Sequence, residues 1–321
     1  MRLGILLLAA ALAATGATPA PPADPASGSA ALSRPRPGGG FAGLWDTPYG
    51  RLRLVEANGR LEGSYPGGSL EGKVAGARAT FTYRDEAAGE GQFTLAPDGQ
   101  RFTGRWRPAG TGTWGTWNGT RVKAVSGRRW LVVLESRWET HLSEPEYSYG
   151  EMLRAFFTRS PAVHVRHRYF TDKASLGKWL QEAALLAEPV VLYVSAHGSP
   201  AGPATDSGPA GVETFAAALR HAGNVTLLHF GACDVMRGSL PADLQKRLAP
   251  AVRFPVSGFA QTVDWGASAV TDFMFLDLVL ARGMPPARAA RELGRLMPFA
   301  TRASTAAGYD GVSFRLLEPA E

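Results

Sequence analysis

Short apolar runs alternate with helix-length segments along the second half of the chain. The apolar runs predict strands over 130–136, 163–170, 225–232, 254–261 and 309–317, and a further strand within 189–200 that has His197-Gly198 at its end. The segments between them predict helices over 148–160, 172–188, 212–223, 239–250, 266–284 and 285–297. The strand at 163–170 alternates apolar and polar residues and is therefore expected nearer an edge. This alternation predicts an α/β domain with a mostly parallel sheet and helices on both faces.

The first half shows a different pattern, in which short strands are separated by Gly-rich turns. Gly-x-Trp triplets recur, and Asn58-Gly59 and Asp98-Gly99 are dipeptides that form hairpin turns. The predicted strands are 50–56, 60–65, 69–74, 78–83, 91–95, 101–106 and 114–121. We therefore expect a small closed or nearly closed antiparallel barrel, similar in a general way to small meander barrels. Its aromatic side chains could line a ligand cavity, but so short a barrel favours a filled interior. A structural or docking domain is then the favoured interpretation.

The N-terminal segment reads as a leader. One Arg precedes an apolar run and a small-residue stretch, which is typical of a secretory signal peptide over residues 1–20. Residues 21–40 are rich in Pro, Ala, Ser and Gly and predict a disordered linker. The expected organisation is then a barrel over 41–122 and an α/β domain over 128–321. The protein is expected to be exported, to the periplasm or medium of a bacterium, without an integral membrane segment.

Charge and composition restrict the classes of partner that the protein is expected to bind. The net charge is +6 and the pI about 9.7, but the basic residues are dispersed, so nucleic-acid binding is not expected. Zinc-ligand spacings and phosphate loops are lacking in the sequence, so we expect neither a metal nor a cofactor. His164 and His167 differ by three on a strand and should face opposite sides, and His229, inside a strand, is expected in the core.

The single cysteine of the chain, Cys233, follows one predicted strand, and His197 follows another. One crossover helix separates these strands, so they are expected side by side, about 4.8 Å apart. His197 and Cys233 should then meet at the carboxyl edge of the sheet, as a thiol nucleophile and its imidazole base require. A buried, inert cysteine is the alternative interpretation.

These motifs resemble the caspase-like cysteine peptidases of clan CD, and within them CHAT domains. The resemblance rests on VSAHG (194–198), FGACDVMRG (230–238) and the segment 256–295. It covers the chain from about residue 130 to the end. It implies that His197 is the base and Cys233 the nucleophile, and that the backbone N–H groups of Gly198 and Cys233 form an oxyanion hole. A neighbouring imidazolium would lower the pKa of the thiol.

The residues that select the substrate are less sharply defined. Family members that cleave after Arg or Lys keep an acidic group in the first pocket. Asp206, Asp234 and Asp264 are the candidates here, with the Asp264-Trp265 pair preferred because the family's substrate groove passes there. The chain departs from the family pattern at Gly231, commonly Ser in CHAT domains, and in the order of Asp264 and Trp265.

The sequence and the resemblance are compatible with two alternative functions of different classes. The first is an exported cysteine endopeptidase acting on a peptide or protein substrate, with the barrel available to bind a protein partner. The second is a non-catalytic scaffold or binding protein, in which the α/β domain is degenerate and the barrel binds the ligand or partner. An acyltransferase or amidase using the same His-Cys dyad stays open beside the first.

Overall fold

The barrel is closed and antiparallel. The computed structural model describes residues 40–304 and 310–319. The first strands are β1 (Gly43–Thr47), β2 (Gly50–Ala57), β3 (Arg60–Tyr65), β4 (Gly68–Ala75), β5 (Arg78–Arg84), β6 (Ala88–Leu95), β7 (Arg101–Pro108), β8 (Gly115–Thr116) and β9 (Gly119–Arg121). Strands β1 to β7 follow one another as neighbours, and β9 pairs with both β7 and β1. That pairing closes eight strands into a barrel, and β8 adds a short pairing to β7.

Large aromatic side chains fill the barrel interior, as the sequence predicted. Trp45 and Phe93 are fully buried, and the ring centroids of Phe93 and Phe102 lie 4.2 Å apart. At two barrel glycines, one of them in a Gly-x-Trp triplet, the reason for glycine is steric. A Cβ built on Gly104 would lie 2.4 Å from the Phe93 ring, and one on Gly119 would lie 2.3 Å from the Phe102 ring. The rings therefore cover backbone positions on the neighbouring strands that only glycine can occupy.

The remaining elements form the α/β domain. Its strands are β10 (Arg129–Glu135), β11 (Val163–Tyr169), β12 (Val190–Ser195), β13 (Gly198–Ser199), β14 (Gly202–Pro203), β15 (Val225–Gly231), β16 (Val256–Phe259) and β17 (Phe314–Leu317). Its helices are α1 (Tyr149–Phe156), α2 (Lys173–Ala184), α3 (Val212–Leu219), α4 (Leu240–Arg247), α5 (Trp265–Leu276), α6 (Pro286–Leu296) and α7 (Pro298–Thr301). A π-helical segment, Asp277–Ala281, extends α5.

The main sheet has six strands in the order β11-β10-β12-β15-β16-β17. Strands β11 to β16 run parallel, and β17 pairs antiparallel with β16 at the far edge. The adjacency of β12 and β15 and the edge position of β11 were both predicted. One core lies on the face covered by α2, α3 and α4, and the other on the face covered by α1, α5 and α6. None of the described helices is long and apolar enough to cross a membrane.

Several boundaries differ from the predicted ones. The Gly-Leu-Trp segment beginning at Gly43 forms β1, which was not among the predicted strands. The strand predicted over 114–121 splits into β8 and β9, because the side chain of Asn118 accepts the Gly104 N–H that a regular ladder would use. Helix α2 ends at Ala184 rather than at 188. The signal peptide and nearly all of the linker fall outside the described residues.

The early end of α2 reflects its contact with the barrel. Arg53 on β2 donates to the carbonyls of Ala184 and Leu186, and Arg51 donates to that of Leu185 at 2.9 Å. Val55 of the barrel belongs to the core on the face covered by α2, α3 and α4. Since these helices run back from the carboxyl edge, their last residues lie at the amino edge of the sheet. The barrel is thus docked at the edge opposite the ends of β12 and β15.

Candidate active site

Strands β12 and β15 carry His197 and Cys233 to the same edge of the sheet. Ser195 pairs in parallel register with Gly231, two residues before each candidate. Continued for two residues, that register brings His197 level with Cys233 on the neighbouring strand. His197 is exposed and Cys233 is half-buried, so both are open to solvent at the carboxyl edge. The juxtaposition predicted from the strand, helix, strand order is therefore present in the backbone.

Two glycines let the loops after these strands pack against each other. A Cβ on Gly198 would lie 2.4 Å from the carbonyl oxygen of Cys233 and 2.8 Å from its nitrogen. A Cβ on Gly238 would lie 1.8 Å from the carbonyl oxygen of Pro200. Any side chain at either position would force the loops apart. Gly198, directly after His197, and Gly238, five residues after Cys233, thus allow the two loops to approach each other closely.

The chain turns sharply just after the thiol. Asp234 adopts the left-handed region with φ of 63°, a conformation that Asp tolerates better than most residues. A short 3-10 turn, Val235–Arg237, follows and leads to Gly238. This turn leaves Cys233 at the corner between β15 and α4.

The surroundings of Cys233 favour the neutral thiol. Burial raises the pKa of Cys233 above its ordinary value, and the nearby Asp234 carboxylate adds to this rise. The N–H of Val263 donates to Sγ at 3.4 Å and acts in the opposite direction. Because the raising effects prevail, the resting thiol is protonated at neutral pH.

The imidazole of His197 is held by the backbone of Trp138. Its Nε2 lies 3.0 Å from the Trp138 carbonyl oxygen, and the two rings pack edge to face with centroids 5.0 Å apart. A carbonyl oxygen can only accept, so Nε2 carries the proton in the neutral ring. Nδ1 is then the nitrogen with a free lone pair, able to accept a proton.

Trp138 is in turn held by Glu135, the last residue of β10. The carboxylate of Glu135 is fully buried and accepts the indole N–H of Trp138 at 3.1 Å. Burial acts to raise the pKa of Glu135, but the approach of His167 and hydrogen bonds from Ser148, Gly150 and Trp138 outweigh it and lower the pKa. Glu135 is therefore an ionised carboxylate inside the domain.

The three acidic candidates for substrate selection all have partners within the protein. Asp264 caps α5 by accepting the Ala267 N–H at 3.0 Å. Asp234 is buried and accepts the hydroxyl of Thr262. Asp206 is exposed, and its nearest Arg137 nitrogen is 3.9 Å away.

Trp265, the remaining candidate, begins α5 and is 44% exposed. Its carbonyl accepts the hydroxyl of Tyr149, and its ring lies 5.9 Å from that of the exposed Tyr147. Burial raises the pKa of Tyr149 against the lowering effect of its hydrogen bond with Ser268, and the nearby carboxylates of Asp272 and Asp264 also raise it. Tyr149 therefore joins α1 to the start of α5.

His229 is a core histidine, as predicted. His229 is fully buried, with Nε2 2.8 Å from Asp272 Oδ1 and Nδ1 2.8 Å from Ser257 Oγ. Tyr193 donates to the second oxygen of Asp272 at 2.7 Å. This buried network ties β12, β15, β16 and α5 together beneath the candidate site. Within residues 40–304 and 310–319, no group of three His, Cys, Asp or Glu side chains could hold a metal ion.

Sequence reasoning did not identify Trp138 or Glu135 as members of the site. The position of Glu135 in the sequence could have indicated its role. Glu135 is the last residue of an apolar strand, and the carboxyl end of that strand lies at the same edge of the sheet as His197 and Cys233. No protein-family model matches the chain, and its sequence matches no curated protein.

Proposed function

We propose that this protein is a cysteine endopeptidase of caspase-like fold, in which His197 and Cys233 cleave a peptide bond by thiol acyl transfer. One observation carries the proposal: the backbone of Gly198, the residue after His197, lies against the backbone of Cys233. That contact supports a base and a nucleophile acting together at the carboxyl edge, on loops rather than inside the core. The fold order supports the resemblance to caspase-like and CHAT domains.

The first step would begin from neutral partners. Nδ1 of His197 takes the thiol proton of Cys233 while the sulfur attacks the carbonyl carbon of the substrate. The N–H groups of Gly198 and Cys233 are the proposed donors to the resulting oxyanion. The imidazolium then gives its proton to the leaving amine, and the C–N bond breaks. The products are a thioester on Cys233 and the free amine.

Hydrolysis of the thioester would complete the cycle. His197 takes a proton from water, the hydroxyl attacks the thioester, and the thiol is restored with release of the carboxylic acid. A raised thiol pKa favours this general-base route over a resting thiolate–imidazolium pair. An amine in place of water would make the same dyad an acyltransferase.

The barrel is proposed as an accessory domain that could bind a protein partner. Its contacts with α2 and α3 lie at the amino edge, and β12 and β15 separate that edge from the thiol by about 20 Å at 3.3 Å per residue. Substrate can therefore reach Cys233 without passing the barrel. Export also remains a proposal, drawn from the leader sequence alone.

Two measurements on the full chain test the proposal. Hydrolysis of a pooled fluorogenic peptide library should be lost in Cys233→Ser and fall at least a hundredfold in His197→Ala. His164→Ala, which changes a histidine near the amino end of the edge strand β11, serves as the matched control and should behave as the parent protein. Iodoacetamide labelling from pH 5 to 9 measures the thiol directly. A Cys233 that reacts only after denaturation would overturn the catalytic proposal and favour the scaffold function.

A further inference from the structure

The carboxylate of Glu135 gathers an unusual number of donors for a side chain outside the dyad. Oε1 accepts the Trp138 indole N–H at 3.1 Å, the Tyr149 backbone N–H at 2.7 Å and the Ser195 hydroxyl at 3.1 Å. Oε2 accepts the Ser148 hydroxyl and the Gly150 N–H, at 2.6 and 3.1 Å. A carboxylate offers about four lone-pair directions, so every one of them is in use.

A buried histidine completes this arrangement. His167 Nε2 lies 2.9 Å from Glu135 Oε2, and its Nδ1 lies 3.4 Å from Glu151. Gly150 provides the room, since a Cβ there would lie 2.3 Å from the His167 ring. The carboxylate thus accepts five hydrogen bonds, lies beside a buried imidazole and has no contact with solvent.

The donors come from both ends of one loop. Trp138 lies three residues after Glu135, whereas Ser148 and Tyr149 lie where the loop enters α1. Ser195 is on β12, two residues before His197. A single carboxylate therefore fixes the start of the loop, its end and the strand that carries the histidine.

We propose that Glu135 is a positioning residue for the His197-Cys233 pair. By fixing the loop from 136 to 148, it sets the Trp138 carbonyl that holds Nε2 of His197 and leaves Nδ1 free to act as the base. This inference rests on the proposed function for its catalytic meaning. The effect on the histidine itself can be measured without any catalysis.

The test compares Glu135→Gln with Glu151→Gln in the full chain. Glutamine keeps the shape of Glu135 but replaces an acceptor oxygen with an NH₂ group that faces donors. Glu151 also contacts His167, but it is exposed and has no contact with Trp138, so it is the matched control. Nitrogen-15 spectra of the imidazoles, assigned by the loss of one signal set in His197→Ala, report the tautomer of His197.

The parent protein and Glu151→Gln should show neutral His197 in the Nε2–H tautomer. Glu135→Gln should show a mixture of tautomers, and iodoacetamide labelling of Cys233 at pH 7 should fall roughly tenfold to a hundredfold. A parent protein with the Nδ1–H tautomer would overturn the proposal. So would a folded Glu135→Gln protein whose tautomer and labelling profile equal those of the parent.

Trp138→Phe covers the case in which Glu135→Gln does not fold. It keeps an aromatic ring against His197 and removes only the indole donor to Glu135, so the same change of tautomer is expected in weaker form. An unchanged tautomer in this variant contradicts the proposal. If labelling of Cys233 is independent of His197 while the tautomer responds to Glu135, the proposed function fails and the positioning role stands.

Discussion

The two edges of the main sheet each bury a charged side chain, and they use it differently. At the amino edge, the guanidinium of Arg53 meets the carbonyls that end α2, and burial together with the charge of Arg51 lowers the pKa of Arg53 to about 10. At the carboxyl edge, the carboxylate of Glu135 meets the donors of a loop and a strand. Both groups remain charged at neutral pH.

The difference lies in what surrounds the buried charge. Arg53 joins the barrel to the end of α2, and its hydrogen-bond partners are backbone carbonyls with no chemistry to perform. Glu135 lies behind an open site, where the side chains of Cys233 and His197 each make one hydrogen bond among the described residues. The buried charge of Arg53 therefore has only a structural role at the amino edge. The buried charge of Glu135 at the carboxyl edge supports groups that are available for reaction.

Arg53→Ala should produce the largest loss of stability. It leaves the buried Ala184 carbonyl and the part-buried Leu186 carbonyl without their donor, and we expect the free energy of unfolding to fall by about 2–4 kcal/mol. Urea denaturation measures this. Arg51→Ala, which removes a more exposed guanidinium, should cost less than about 1 kcal/mol. Equal losses of stability in both variants would show that the burial of Arg53 does not determine the strength of the contact between the barrel and the α/β domain.

Gly198→Ala should damage the carboxyl edge. The added Cβ meets the Cys233 backbone, so we expect a loss of about 1–3 kcal/mol and altered labelling of the thiol. Gly177→Ala is the matched control, since a Cβ there meets nothing within 4 Å. Within α2 it should stabilise the protein by about 0.5–1 kcal/mol. A harmless Gly198→Ala would contradict the tight packing of the two loops.

Acid should weaken the carboxyl edge through Glu135. Its pKa is lowered in the folded protein, so the unfolded chain binds the proton first as the pH falls. The stabilisation is present above the ordinary value of 4.5 and is lost as the pH falls through the lowered folded value. Urea denaturation between pH 3 and 6 should show the gap between the parent protein and Glu135→Gln narrowing toward low pH; a constant gap would contradict this.

The amino edge should respond to acid at higher pH but more weakly. Burial lowers the pKa of His221, and the charge of Arg220 acts in the same direction against the raising effect of Glu62. The unfolded chain again binds the proton first, so this stabilisation is present above 6.5 and is lost as the pH falls below it. His221→Gln should remove that slope between pH 5 and 7.5. If the pH dependence of stability between pH 5 and 7.5 is unchanged in this variant, that dependence arises from other groups.

The hydrophobic pattern was sufficient to predict the two architectures. Alternation of strands and helices marked the parallel sheet, and one crossover helix between the strands ending near His197 and Cys233 implied that they are neighbours. Local rules of turn and cap chemistry placed most element boundaries within a few residues. These features depend on nearby residues along the chain, which is why they could be read from it.

Other features depend on contacts between distant segments, and only the tertiary structure decided them. Glu135 takes donors from residues 3 to 60 positions away, and Arg53 reaches carbonyls more than 130 positions away. Neither side chain belongs to a local motif. The sequence by itself determined which strands bring a thiol and an imidazole to one edge. Folding decided how that imidazole is held and where the barrel docks, because a buried charge takes its partners from whatever packing brings within reach.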